Sequence, residues 1–249
     1  MTSLAQLLER ISNDHVSGSS EIYSELLDGL QKALAQRPKV QEWRDFSDGL
    51  SKVKMSMAPL QNVAGSIRVL LNAQIPDDQF NGFVKGFLAD LRERERAAPD
   101  KISKNLMSAY QPDKVVTISY SGTVLSSLLH LSKDVSVHVA ESLPMSEGRM
   151  TCSKLLENGR KASVFRDSMI TSEVEKADLV LVGADGVCPE GVVNKVGTSL
   201  LDYALGHPAV KHIPLIITYT SELASFLTPH GFAPKEGALM LLRRPIEYS

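Results

Sequence analysis

The sequence predicts an α/β protein: an N-terminal all-helical domain followed by a Rossmann-like parallel-sheet domain. Two changes of pattern carry that reading. Up to about residue 97 the apolar residues recur with a helical period, and from Lys114 onward short β-branched runs alternate with helical or turn-forming stretches. Size supports it as well, since 249 residues of which 43% are hydrophobic can bury one large core or two small ones. The expected division is a helical domain over 1–108 and a Rossmann-like domain over 109–249.

In the first half, Leu4, Leu7, Leu8 and Ile11 follow the i, i+3, i+4, i+7 spacing behind Ser3, and Gln6 stands where a capping box needs it. Gly18 ends that segment. A second helix starts at Ser19 or Ser20 and buries Ile22, Leu26, Leu27, Leu30 and Leu34, and a third buries Trp43, Phe46, Leu50 and Val53. After an apolar stretch from Leu60 to Leu71, Pro76 and Asp77 open a helix that buries Phe80, Phe83, Phe87, Leu88 and Leu91. Its end is expected at the run from Arg92 to Arg96, whose mixed signs at helical neighbours describe a solvated helix end. The stretch 98–113, with Pro99 and Pro112 near its ends, is the expected connection between the halves.

In the second half the strand candidates are 115–118, 135–139, 162–165, 179–182 and 213–217. Runs of this composition suit strands buried on both faces of a parallel sheet with right-handed crossovers. No fixed-period repeat or low-complexity tract interrupts them.

Composition narrows the function classes. A formal net charge of −2 supplies no global attraction to nucleic acid or anionic membrane, so neither is expected as a partner. Cys152 and Cys188 fit neither a CxxC nor a mixed Cys/His spacing, so no metal site and no disulfide is expected, and a reducing cytoplasm is the expected compartment. The N-terminal stretch carries polar residues every few positions and has no apolar block of signal or membrane-span length. His138, His207 and His212 occur without a GxSxG elbow and read as structural. No GxGxxG follows the first strand, which disfavours a nicotinamide-dependent dehydrogenase, and no cofactor is expected.

In open α/β sheets ligands bind beyond the carboxyl ends of the strands, where helix N-termini point their amides. The first such loop is Ser119-Tyr120-Ser121-Gly122-Thr123, with hydroxyls, a permissive glycine and a helix beginning near Ser121. It suits an anion, and it equally suits a plain helix cap. The second is the segment from Glu141 to Arg149, with two carboxylates and a base around Ser146, a capping candidate for the next helix. The third strand is followed by Asp167. After the fourth, Gly183-Ala184-Asp185-Gly186 leads to Asn194, Lys195, Gly197 and Thr198 at a helix start. An acid at a strand tip can bind ligand hydroxyls or move protons, and Asn194 with Lys195 at a helix N-terminus can neutralise a phosphate.

Four segments read together carry a family resemblance: Glu141-Ser142-x-Pro144-x-x-Glu147-Gly148, Asp167-Ser168, Gly183-Ala184-Asp185 and Asn194-Lys195-x-Gly197-Thr198. They resemble the superfamily of the alpha, beta and delta subunits of translation initiation factor 2B, ribose-1,5-bisphosphate isomerase and methylthioribose-1-phosphate isomerase. Gly18-Ser19-Ser20-Glu21 and Met57-Ala58-Pro59-Leu60-x-Asn62 add looser support in the helical half. The resemblance implies a small phosphorylated ligand, sugar phosphate or nucleotide, in the strand-end cleft. The implied contacts are Gly18, Lys54, Ser121, Gly122, Thr123, Glu141, Asn194 and Lys195, and the implied assembly is a homodimer.

In the isomerases of that superfamily, a cysteine of the first loop works with the later aspartate to move protons between adjacent carbons of a ring-opened sugar phosphate. The aspartate is Asp185 here, and the cysteine position falls on Ser119. An unperturbed serine is a far poorer acid or base near neutral pH than a thiol, whose pKa is about 8.5. Leu143, Ser17 and Lys54 are further departures from the pattern. Two functions stay open: intramolecular aldose–ketose isomerisation of a sugar phosphate through Asp185 and Ser119, or a non-catalytic regulatory subunit acting through protein–protein contacts.

Overall fold

The computed structural model describes residues 3–14, 17–55, 57–188, 191–194, 197–206, 215–218 and 239–241. Two compact units divide the chain, Met1–Ala97 with Asp185–Cys188, and Ala98–Ala184 with Pro189–Ser249.

The first unit is built of helices α1 (Leu4–Asn13), α2 (Ser19–Leu34), α3 (Val40–Leu50), α4 (Ala58–Asn72) and the front of α5 (Asp77–Ala109). The capping box of α1 forms as the spacing requires, with the Gln6 amide donating to Ser3 Oγ and the Ser3 amide to Gln6 Oε1. Leu7, Ile11, Ile22, Leu26, Leu30, Trp43, Phe80 and Leu88 are fully buried in one core. Gly29 lets α2 approach α1 closely, since a Cβ there would stand 2.2 Å from Leu7 Cδ1. Phe83 departs from expectation: it is 51% exposed, because it lies off the stripe made by Phe80, Val84, Leu88 and Leu91.

Helix α5 also outruns its expected end. It continues through the charge run and through Pro99 to Ala109, although an interior proline costs about 3 kcal/mol. Burial offsets that cost. Ala98, Ile102 and Leu106 continue an apolar stripe at four-residue intervals, and Ser103 Oγ donates to the Pro99 carbonyl at 2.8 Å.

The second unit carries a six-stranded sheet in the order β3-β2-β1-β4-β7-β8, from β1 (Lys114–Ile118), β2 (Ser136–Ala140), β3 (Lys161–Phe165), β4 (Leu179–Val182), β7 (Leu215–Thr218) and β8 (Leu239–Leu241). Five strands run parallel and β8 pairs antiparallel with β7. On one face Val115, Val137, Val139, Leu179 and Leu181 pack with α6 (Gly122–His130) and α7 (Glu147–Glu157). On the other, Val116, Ile118, Val180 and Val182 pack with α8 (Ile170–Val174) and α9 (Thr198–Leu205). A helical-half-then-Rossmann-like architecture is therefore what the chain adopts. The short pair β5 (Gly186–Cys188) and β6 (Gly191–Val193), which sequence reading took as loop, forms a separate two-stranded sheet. Among the described residues no helix is long and apolar enough to cross a membrane.

Candidate active site at the strand ends

The strand order reverses between β1 and β4: from β1 the chain winds outward to β2 and β3, and from β4 it winds the other way to β7. In a doubly wound sheet that reversal opens a crevice beyond the carboxyl ends of the two central strands. Here the loops at that point are Ser119–Ser121 after β1 and Gly183–Ala184 after β4.

They meet closely. A Cβ on Gly183 would lie 2.6 Å from Ser121 Oγ and 3.1 Å from Ser121 Cβ, so any side chain there would press on that serine. Ser121 is the N-cap of α6, its Oγ 3.5 Å from the Val124 amide and 3.1 Å from Thr123 Oγ1. Gly122 opens the helix, so the first-turn amides and the positive end of the α6 dipole face the same loop as both hydroxyls. Asn194, at the far side of β6, donates to Thr198 Oγ1 at 3.0 Å, which joins it to the first turn of α9. Lys195 lies outside the described residues.

Ser119 sits one residue beyond β1 in the left-handed region, φ 57°, and is almost fully buried at 3% exposure. Three neighbours fix it. Its amide donates to Ser142 Oγ at 2.7 Å, its carbonyl accepts from Thr151 Oγ1 at 2.7 Å, and its own Oγ donates to Glu147 Oε2 at 2.6 Å. The last distance is that of a charge-assisted O–H···O⁻ bond. Behind them, both oxygens of Asp167 accept backbone amides, from Ser142 at 2.7 Å and Leu143 at 2.8 Å. Gly148 permits the close approach of α7: a Cβ there would stand 1.8 Å from the Ala140 carbonyl oxygen. The segment from Glu141 to Gly148, with Asp167, is thus largely a cradle for Ser119.

Glu141 itself pairs with Arg149, whose Nε and Nη2 both donate to Glu141 Oε1, so its carboxylate is engaged within its own loop. Ser146, the capping candidate, holds the N-cap position of α7 with φ 55° and no side-chain cap bond. Burial pushes the Cys152 thiol above its usual range, in keeping with a packing role. The Cys188 side chain, like His207 and His212, lies outside what the structure describes. Among the described residues no group of three or more His, Cys, Asp or Glu is placed to hold a metal ion.

The remaining candidates belong to the first unit. Gly18 precedes α2 and its amide donates to Glu21 Oε2 at 3.2 Å, a capping arrangement. Lys54, with φ 46°, donates from Nζ to the Asp14 carbonyl. Asp185 is tied to this unit twice: Ser19 Oγ donates to its Oδ1, and its carbonyl accepts the Ala58 amide at 3.0 Å. Asp185 stands in the loop after β4, and nothing in the sequence signals that Ser19 holds it. The contact of Glu147 with Ser119 likewise has no direct mark in the sequence. The available signal was the residue's place at the first turn of a helix after β2, on the same side of the sheet as the β1 loop.

The model of the initiation factor 2 subunit family matches residues 15–210. The chain belongs to that family. Within it, the putative methylthioribose-1-phosphate isomerase of Archaeoglobus fulgidus is 30% identical over 138 residues, 47% of this chain and 41% of that protein. The ribose 1,5-bisphosphate isomerase of Methanocaldococcus jannaschii is 21% identical over 230 residues, 88% of this chain and 73% of that one. A solved translation initiation factor eIF-2B of Pyrococcus horikoshii OT3 shares the fold with a TM-score of 0.68 at 24% identity, covering 86% of this chain and 77% of that one. The match to the Archaeoglobus protein thus spans well under two thirds of its length. This member of the initiation factor 2 subunit family has a serine, not a thiol, at the strained first-loop position.

Proposed function

We propose that this protein binds a small phosphorylated ligand, a sugar phosphate or a nucleotide, at the strand-end cleft, its phosphate on the N-terminus of α6. The observation that carries the reading is the meeting of Ser121 and Gly183 at the reversal of strand order. There two hydroxyls, a helix N-terminus and a glycine that leaves room converge on one point. Asn194 and Lys195 supply further donors, and Asp185, in the loop after β4, supplies an acid for ligand hydroxyls. Gly122, Thr123 and Glu141 complete the set of contacts we assign to that ligand. The names of its relatives make pentose phosphates the first ligands to try.

Isothermal titration against ribose 1,5-bisphosphate, methylthioribose 1-phosphate, ribose 5-phosphate and AMP tests this. At least one should bind, and Ser121→Ala should weaken it by about tenfold, the loss of one bond to a charged group. Silence across the whole panel would refute the reading.

A second reading is favoured by Ser119 alone. With a hydroxyl where a thiol would do proton transfer, the protein is a regulatory subunit whose ligand is a signal. A stable heteromeric complex on affinity purification, together with ligand binding but no turnover, distinguishes it. In either case we propose a homodimer, to be measured by light scattering.

A further inference from the structure

We propose that Asn158, at the carboxyl end of α7, is a site of spontaneous deamidation through a succinimide formed on the Gly159 amide, and that the fold protects the other Asn-Gly pair of the chain, Asn81-Gly82.

In sequence the two pairs are equivalent. Each sets an asparagine, whose Cγ is the electrophile, before a glycine with no Cβ to crowd the approach of its amide nitrogen. Structure separates them. Asn81 lies within α5 with both ends of its side-chain amide engaged: Oδ1 accepts from Trp43 Nε1 at 3.0 Å, and Nδ2 donates to the Pro38 carbonyl at 3.0 Å. Trp43 is fully buried, so turning Asn81 onto its own backbone would leave an indole N–H without its acceptor.

Asn158 is held far less. It is the C-cap of α7, with φ −93° and ψ 16°, and both it and Gly159 are exposed. Gly159 has φ 70° and open space where a side chain would stand. Two bonds oppose the reaction: Asn158 Nδ2 donates to the Lys154 carbonyl at 2.8 Å, and the Gly159 amide donates to the Leu156 carbonyl at 2.9 Å. Both belong to the last turn of the helix, the part that opens most readily.

Once that turn opens, the Gly159 nitrogen attacks Asn158 Cγ. The N–Cγ bond forms, the Cγ–Nδ2 bond breaks, and the side-chain nitrogen leaves as ammonia with the proton of the Gly159 amide. Water then opens the ring at either carbonyl, giving aspartate or isoaspartate. Either product alters the joint between α7 and β3. A carboxylate at 158 opposes the negative end of the α7 dipole and cannot donate to the Lys154 carbonyl. Isoaspartate also lengthens the main chain just before Arg160, whose guanidinium donates to the Leu129 and Leu131 carbonyls at the end of α6, and before β3 begins at Lys161.

The test is incubation of the full chain in mildly alkaline buffer, with tryptic peptides followed by mass spectrometry and isoaspartate counted by enzymatic methylation. The peptide 155–160 should convert about tenfold more slowly than the same synthetic hexapeptide, the cost of opening two exposed hydrogen bonds. The peptide that carries Asn81 should stay unconverted over the same period. In denaturant the two asparagines should convert at similar rates, because the fold alone separates them. Asn158→Asp should lower the thermal midpoint by about 2–4 °C. Conversion of Asn81 as fast as Asn158 in the folded chain, an Asn158 intact over many half-lives of the hexapeptide, or a difference that persists in denaturant overturns the assignment. An unmoved midpoint in Asn158→Asp overturns the stated effect on the joint.

Discussion

Gly183→Ala should be among the most costly single-methyl additions in the second unit, and its cost should vanish when Ser121 is cut back. The added Cβ would sit 2.6 Å from Ser121 Oγ, 3.1 Å from Ser121 Cβ and 3.8 Å from Val124 Cγ2. The hydroxyl can rotate away, but it then loses the Val124 amide and Thr123 Oγ1, a cap worth about 1 kcal/mol. The Cβ–Cβ approach persists after that rotation and needs the loop to give by a few tenths of an ångström, an overpacking cost of about 1–3 kcal/mol. Against these stands a gain of about 0.4–1 kcal/mol from fewer unfolded conformations. The net expectation is a loss of about 1–3 kcal/mol, read as a lower urea midpoint at unchanged slope. Ser121→Gly alone should cost only a few tenths of a kcal/mol through the cap. The double variant should then be close to Ser121→Gly, which makes the two changes non-additive by most of the cost of Gly183→Ala. Additive costs, or a loss below about 0.5 kcal/mol for Gly183→Ala, would show that the two loops do not meet as described.

Thr117 Oγ1 is buried in β1 without a hydrogen-bond partner among the described residues, so Thr117→Val, which keeps the shape and removes the orphan, should be neutral or stabilising by up to about 2 kcal/mol. A loss of more than about 1 kcal/mol in chemical denaturation would argue for a partner there. Glu173 is hydrogen-bonded by Lys114 Nζ at 2.9 Å and by His138 Nδ1 at 2.8 Å, and the Lys114 bond above all holds its carboxyl below the usual range. A depressed folded value means stability that is present above the unfolded pKa of about 4.3 and is lost as pH falls through the folded one. Glu173→Gln should accordingly flatten the acid limb of stability against pH, and parallel curves for the two proteins between about pH 5 and pH 3 would contradict the pairing. Ser146 carries left-handed strain with no side-chain cap bond, so Ser146→Gly should raise the thermal midpoint through relief of about 1 kcal/mol, and a clear drop would reveal an unseen task for its hydroxyl.

The parts of this protein that were legible in the sequence are those whose signal is periodic. Leu7 and Ile11 announced α1 and the runs from 115 to 118 and 179 to 182 announced the central strands, because burial of a helix stripe or of both strand faces leaves a repeating apolar mark. Once the strands were placed, general topology located the loops. Helix α5 escaped this logic at Pro99, where a strong local stop is outvoted by Ala98, Ile102 and Leu106 and so becomes visible only with the core in place. The positions of polar groups near the strand ends were legible, and their wiring was not. Glu141, Ser142, Glu147 and Asp167 all read as polar groups near strand ends, and nothing in their spacing says that Asp167 serves two amides, that Glu141 turns to Arg149, or that Glu147 turns to Ser119. The strain was hidden for the same reason. Glycine is the residue that advertises a positive φ, and at 119 and 142 the chain carries serines instead. A loop with no use for those hydroxyls would relieve itself of about 1–2 kcal/mol per residue by taking glycine. Keeping serine at both positions is explained by the two bonds it makes possible, Ser142 to the Ser119 amide and Ser119 to Glu147, and both lead to the same carboxylate.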